Sequence, residues 1–266
     1  MDEPVSVSRK VLRVGLGGSS VVDDRLVVER AITILVNNVE YATLMCTPSH
    51  LGDLGVGHLW AAGVLGASSM LSGLPEPDAD VELGVVSFQI PGLKAVPLPR
   101  RIVTSGCGGA VLPWAGVDGC PTTSALGSGH AALFTTSDLA TASSDLLRAN
   151  KLFAETGGAH AAGAWIRGSP MVVREDIGRH NAVDKVGGYL VRNKTDGSAS
   201  MLAVTGRVSS DLILKAAVFR FPVVVSRGAP TDLAVRIAGE LEMTLVGFCR
   251  GQRMNIYTVP ERIAAV

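Results

Sequence analysis

Between residues 174 and 185 the chain reads Arg-Glu-Asp-Ile-Gly-Arg-His-Asn-Ala-Val-Asp-Lys, which gathers two arginines, a histidine, two aspartates, a glutamate and a lysine. Apolar runs flank it at residues 161–173, 201–204 and 221–225. Charge set between core-forming runs is costly to bury unpaired, so these groups must pair with one another or face a ligand. Both uses fit. Residues 171–174 read as a strand, 175–178 as a turn, and 181–190 as a helix with Val183, Val186 and Leu190 on its inner face. Arg174, Glu175, Asp176, Arg179 and His180 then sit where a strand hands over to a helix, the usual place for a site in an α/β layer. Alternatively, Asp176, Arg179, Asp184 and Lys185 form an ion-pair network that holds this corner, with His180 bonded to Asp176 or Asp184.

Cys107, in Thr104-Ser-Gly-Cys-Gly-Gly-Ala110, has glycines on both sides that expose its sulfur and offer nearby amides. It is either a reactive thiol or an incidental cysteine in a loop. Cys120 shares that loop. Cys46 ends an apolar strand and reads as core packing. Cys249 ends another strand and reads as a pocket wall rather than a nucleophile. These spacings make neither a metal-ligand pair nor a disulfide framework, so free thiols in a cytoplasmic protein are expected. His160 follows Thr156-Gly-Gly-Ala and reads as a residue facing a site.

The elements that must position these groups are legible in outline. Residues 1–20 read as a loose arm or an edge strand. Residues 27–37 and 39–46 read as a hairpin turned at Asn37-Asn38. Thr47 reads as a helix cap with Pro48 at the first helical position. Strands are expected near 81–90 and 93–103, followed by a glycine-rich mobile loop over 104–123. Residues 137–153 read as a helix, with Leu139, Ser143, Leu146, Leu147 and Ala154 on its packed side. The second half alternates strands (161–166, 171–174, 201–205, 221–226, 244–249, 255–259) with helices (181–191, 209–220, 230–241), the signature of a layered α/β fold. The division is an α+β domain over 1–103, the loop over 104–123, and an α/β domain over 124–266.

If the strands of the second half run parallel, three of their ends meet on one edge: Thr205-Gly-Arg207, Ser226-Arg227-Gly228 and Cys249-Arg-Gly-Gln-Arg253. Small residues and arginines there leave amides and fixed cations exposed, which suits phosphate or pyrophosphate. Neither a G-x-G-x-x-G nor a P-loop motif is present, so this rests on layout alone. Lys+Arg and Asp+Glu each number 24 in 266 residues, and 47% hydrophobic against 18% charged residues describes a compact chain without a basic surface for nucleic acid. No apolar run reaches the length of a membrane span, and the acidic Met1-Asp-Glu-Pro start does not read as a secretion signal.

The charged segment also resembles the signature of the formate dehydrogenase accessory sulfurtransferase family. Cys46-Thr-Pro-Ser-His-Leu, Gly57-His-Leu-Trp-Ala-Ala-Gly63, Thr104-Ser-Gly-Cys107-Gly, Thr156-Gly-Gly-Ala-His160-Ala-Ala and Leu245-Val-Gly-Phe-Cys-Arg-Gly-Gln-Arg253 resemble family segments in family order. The resemblance runs from about residue 30 to 260. It implies a cytoplasmic homodimer with a cytidine-deaminase-like domain that lacks the deaminase zinc ligands. It implies a persulfide, accepted from a cysteine desulfurase on Cys107 and passed to bis-molybdopterin guanine dinucleotide for formate dehydrogenase. Phe248, Cys249, Arg250, Gly251, Gln252 and Arg253 match the family's cofactor-binding segment. A GDP- or GMP-like ligand would fit there, with His160, Asp176, Arg179, His180, Arg207 and Arg227 completing the site. Where well-known members carry C-x-x-C, this chain has Cys107-Gly-Gly-Ala110, which leaves single-thiol transfer as the simpler mechanism. The competing reading is a chaperone that binds the molybdenum cofactor without moving sulfur. A deaminase is excluded by the absence of H-x-E and P-C-x-x-C.

Overall fold

The computed structural model describes residues 4–65, 73–91, 93, 102–103 and 133–264. The first strands are β1 (Ser6–Gly15) and β2 (Gly18–Val27), which pair antiparallel over ten residues each. Of the loose arm or edge strand expected over the first 20 residues, the strand forms, paired in this hairpin. Its tip carries Leu12, Val14, Leu16 and Val21 exposed, and its base is tied to the body by Arg25–Glu155 at 2.7 Å. Outward-facing strands lack the buried face that makes alternation readable.

A five-stranded sheet follows, in the order β5-β6-β3-β4-β7. It comprises β3 (Arg30–Val36), β4 (Val39–Cys46), β5 (Asp78–Asp80), β6 (Val85–Phe88) and β7 (Ile102–Val103). Asn37 and Asn38 both take positive φ (50° and 64°), as a tight β3–β4 hairpin requires. Helix α1 (Leu51–Ala61) begins later than Pro48 would suggest, behind His50 in a left-handed conformation. Thr47 does not cap it. Its hydroxyl accepts from the Ile177 amide (3.2 Å) and its carbonyl accepts from Lys185 Nζ (3.0 Å).

The second sheet has six strands in the order β10-β9-β11-β12-β13-β14. They are β9 (His160–Trp165), β10 (Val172–Asp176), β11 (Met201–Val204), β12 (Val223–Ser226), β13 (Thr244–Arg250) and β14 (Arg253–Thr258). β11, β12 and β13 are parallel to one another, whereas β9 runs antiparallel to β11 and β14 to β13. Short strands β8 (Phe134–Thr135) and β15 (Ile263–Ala264) pair separately.

Alternate residues of β11 and β12 feed two cores. Leu202, Val204 and Val224 face a cluster shared with α1, α4 (Arg179–Arg192), α5 (Ser210–Val218), α6 (Asp232–Glu240) and the first sheet. Met201, Ala203, Val223 and Val225 face α2 (Thr136–Ala149), through Leu139, Ala142 and Leu146. A sheet covered on both faces gives the near-continuous apolar runs seen in the sequence. Side chains from both sides of the expected 103/124 division share the first core, and residues 104–123 lie outside the described residues. The helix expected over 137–153 breaks at Asn150 into α2 and α3 (Lys151–Thr156). Leu147, on the outer side of α2, and Ala154, beyond the break, are read as packed but are exposed. A Thr135–Asp138 capping box starts α2, and the Thr231 hydroxyl caps α6.

Candidate functional site

The charged segment is built mainly into the interior. Asp176 and Lys185 are both fully buried and 2.6 Å apart. Asp176 Oδ2 also accepts from the Thr47 amide (3.1 Å), while Oδ1 accepts from the Gly178 amide (2.8 Å) and Asn181 Nδ2 (3.1 Å). Lys185 Nζ donates further to the carbonyls of Thr47 and Glu175. Asp53 of α1 takes a forked contact from Arg174 (2.9 and 2.8 Å) and one from Arg192 (2.9 Å). The Arg174 guanidinium also stacks 4.7 Å from the Tyr189 ring centre. Asp184, buried, pairs with Lys215 and approaches His58 Nδ1 at 3.4 Å. The ion-pair alternative therefore holds for Asp176, Asp184 and Lys185. Asp176 is corrected from a ligand-facing residue to an internal anchor, because protein donors occupy both of its oxygens.

Arg179 and His180 remain near the surface, at the carboxyl end of β11. His160, the first residue of β9, pairs in register with Asp176 and lies against the 205–207 turn, because β9 runs antiparallel to β11. A Cβ on Gly206 would stand 3.2 Å from His160 Nδ1 and 3.5 Å from Arg179 Cβ, so the glycine lets both come close. Arg179 Nε is buried without a hydrogen-bond partner among the described residues. His180 Nε2 shares a 3.0 Å hydrogen bond with Ser209 Oγ, the residue preceding α5.

Both imidazoles are shifted toward the neutral form. His160 is pushed down by burial and by Arg179. His180 is pushed down from 6.5 to about 3 by burial, then by the Lys215 and Arg179 charges. The unfolded chain protonates this group near 6.5 and the folded protein only near 3, so the unfolded state binds more protons in between. His180 thus contributes stability that is complete above pH 6.5 and is lost as the pH falls toward 3, at up to about 1.4 kcal/mol per pH unit. Urea titrations across this window should show a shallower acid loss for His180→Asn than for the parent chain; equal slopes would contradict the assignment.

The parallel arrangement of β11, β12 and β13 places the three arginine-bearing strand ends on one edge, as their spacing anticipates. Ser226 Oγ donates to the Gly206 carbonyl (2.7 Å) and accepts from the Gly228 amide (2.9 Å), locking two of the turns together. The third end is a bulge. The β13–β14 register shifts between Gly247 and Arg250, and Phe248 takes a left-handed conformation (φ 52°) while its amide donates to the Gly228 carbonyl (3.0 Å). Phe248, Arg250, Gly251, Gln252 and Arg253 are exposed along this bulge and turn, as is Arg207. Arg250 Nε donates to the Arg227 carbonyl (3.3 Å). Cys249 turns its side chain inward, with the thiol toward the Leu139 carbonyl (3.6 Å), so it offers a ligand no sulfur.

Cys107 and Cys120 lie outside the described residues. Cys46 is buried, and desolvation pushes its thiol up to about 12, with Asp176 adding to the rise. Burial likewise raises Cys249, against the opposing effects of Ser143 and Arg227. Since the thiolate is the reactive form, iodoacetamide at neutral pH should leave Cys46 and Cys249 unmodified in the native protein and label them after denaturation. Native labelling of either, read by peptide mass spectrometry, would contradict their placement.

From sequence Ser143 is only a packed helix position, and Gly206, Ser226 and Gly228 are only small residues at strand ends. The available signal was weak: a serine within an otherwise apolar helical stripe, and glycines directly after strands. Among the described residues no group of three or more His, Cys, Asp or Glu could hold a metal ion, and no helix is long and apolar enough to cross a membrane.

These features define an α/β protein with arginines along the edge beyond the carboxyl ends of parallel strands, where open α/β sheets bind ligands. The model of the FdhD/NarQ family matches residues 27–264, and the chain belongs to that family. It is 33% identical over 270 residues to the sulfur carrier protein FdhD of Bacillus subtilis (strain 168), covering 99% of each chain. It is 34% identical to that of Geobacillus kaustophilus (strain HTA426), covering 91% of this chain and 90% of the other. A crystal structure described as a putative formate dehydrogenase accessory protein from Desulfotalea psychrophila superposes with a TM-score of 0.76 at 26% identity, covering 98% of this chain and 100% of that one.

Proposed function

We propose that this protein carries sulfur from a cysteine desulfurase to bis-molybdopterin guanine dinucleotide destined for formate dehydrogenase, acting in the cytoplasm as a homodimer. The end-to-end match to relatives described as sulfur carrier proteins carries this reading. The strand-end edge supports its anionic half. Arg227, with Arg250 and Arg253 on the exposed 250–253 turn, suits the diphosphates of the cargo. Exposed Phe248 offers a face for a guanine. Neutral His160 and His180 with Arg179 border the edge on the β9 side. Two mixed sheets with helices packed on both faces of the larger one are compatible with the cytidine-deaminase-like architecture that belongs to this reading.

In the proposed transfer the Cys107 thiolate attacks the outer sulfur of the desulfurase persulfide. The bond between that sulfur and the desulfurase cysteine breaks, the desulfurase leaves as its thiolate, and Cys107 retains the persulfide. The cargo, held by its phosphates at the edge, then takes that sulfur: an electron pair of the reduced cargo forms the new bond, the sulfur–sulfur bond breaks, and Cys107 leaves as its thiolate. The persulfide already supplies a reactive atom, so positioning is the protein's main contribution.

The sequence Cys107-Gly-Gly-Ala110, which lacks a second nearby thiol, favours the chaperone as the second reading. In a strain without its own carrier, the parent gene should restore formate dehydrogenase activity and Cys107→Ala should not, although the purified variant still binds GDP. Full restoration by the variant would favour the chaperone.

A further inference from the structure

α2 packs Leu139, Ala142 and Leu146, all fully buried, onto the second sheet, yet places Ser143 on the same buried face. Alanine would be the better helix former there. A buried hydroxyl is retained without penalty only when it is hydrogen-bonded, and here both of its capacities are used toward the edge. Ser143 Oγ donates to the Cys249 carbonyl (2.9 Å) and accepts from Arg227 Nη1 (3.4 Å). One turn earlier, the Leu139 carbonyl accepts from the Cys249 thiol. The circuit closes on the surface, where Arg250 Nε donates to the Arg227 carbonyl and the Phe248 amide donates to that of Gly228. A single buried hydroxyl therefore joins the bulge within β13 to the guanidinium after β12. Pairing of β12 with β13 and the contacts at Arg227 and Gly228 hold the backbones together, whereas the Ser143 hydroxyl reaches the Arg227 guanidinium itself.

Resting on the reading of this edge as the seat of the cargo's phosphates, we propose that Ser143 is a positioning residue for anion binding. It touches no ligand. It fixes the Arg227 guanidinium and the Cys249 peptide relative to each other, so that a diphosphate meets both in one geometry. Free of that tie, Arg227 samples other rotamers and the ligand must order it on binding.

The test uses the whole protein and two probes, GDP and inorganic pyrophosphate, titrated by calorimetry against the parent, Ser143→Ala, Arg227→Ala and the double variant. Ser143→Ala adds no volume and favours the helix, so the variant folds; the thermal midpoint and near-ultraviolet dichroism check this. The expected result is a weakening of about tenfold for Ser143→Ala with both probes, the scale of one charge-assisted hydrogen bond. In the Arg227→Ala background the same change should matter less than about twofold, because residues acting through one group are not additive. Parent-like binding by folded Ser143→Ala, or losses that multiply in the double variant, would overturn the role assigned to Ser143 while leaving the edge intact. A parent protein that binds neither probe would remove the anion edge itself, and with it this role.

Discussion

Lys185→Met is expected to destabilise the fold by about 3–5 kcal/mol, the cost of leaving a buried charge without its partner. Asp176 is fully buried and has no route to solvent. Its remaining donors are the amides of Thr47 and Gly178 and the Asn181 side chain, all neutral. The substitution also strips a donor from the carbonyls of Thr47 and Glu175, so the chain entering α1 and the end of β10 lose one of their common ties. Urea unfolding should show the midpoint fall at unchanged slope. Adding Asp176→Leu should recover part of the loss, since an apolar pair of similar volume is often neutral where a broken ion pair is not. A single-variant loss below about 1 kcal/mol, the scale of an exposed pair, would contradict the buried placement.

Gly188→Ala is the second large effect. A Cβ at Gly188 would lie 1.9 Å from the Asp53 carbonyl oxygen and 2.8 Å from the Gly57 amide nitrogen, and one at Gly57 would lie 1.9 Å from the Asp184 carbonyl oxygen. α1 and α4 thus meet backbone to backbone, and no side chain can rotate away to make room. Alanine's helix propensity returns about 1 kcal/mol, whereas overpacking costs about 1–3 kcal/mol and more when the backbone must shift. A net loss of about 2 kcal/mol or more is expected. Gly15→Ala, where nothing lies within 4 Å of the added methyl, serves as the control and should stay within about 0.5 kcal/mol. Equal effects at the two positions would contradict the helix crossing.

These two results bear on what the sequence could and could not disclose. The six-stranded sheet was readable because its strands, covered on both faces, are unbroken apolar runs separated by helical stripes. The convergence of residues 205–207, 226–228 and 249–253 followed once those strands were taken as parallel. The charged signature was harder, since composition cannot say whether a carboxylate meets solvent or a lysine nine residues on. Nor can local pattern reveal that Arg174 meets Asp53 across 121 positions. The start of α1 was misplaced because Thr47-Pro48 has the chemistry of a cap, yet Thr47 spends its polar groups on Ile177, Asp176 and Lys185. Ser143 reads as packing because its two partners, Cys249 and Arg227, are remote in sequence, on β13 and just after β12. The hairpin at residues 6–27 faces largely outward and lacks a core pattern to betray it.

The most direct measurement is intact-protein mass spectrometry after incubation with a cysteine desulfurase and cysteine, on the parent and on Cys107→Ala. The parent should gain one sulfur, removed by reductant and absent from the variant, with Cys46 and Cys249 unmodified in both. A gain that persists in Cys107→Ala, or a parent that binds GDP and takes up no sulfur, would contradict Cys107 as the carrier.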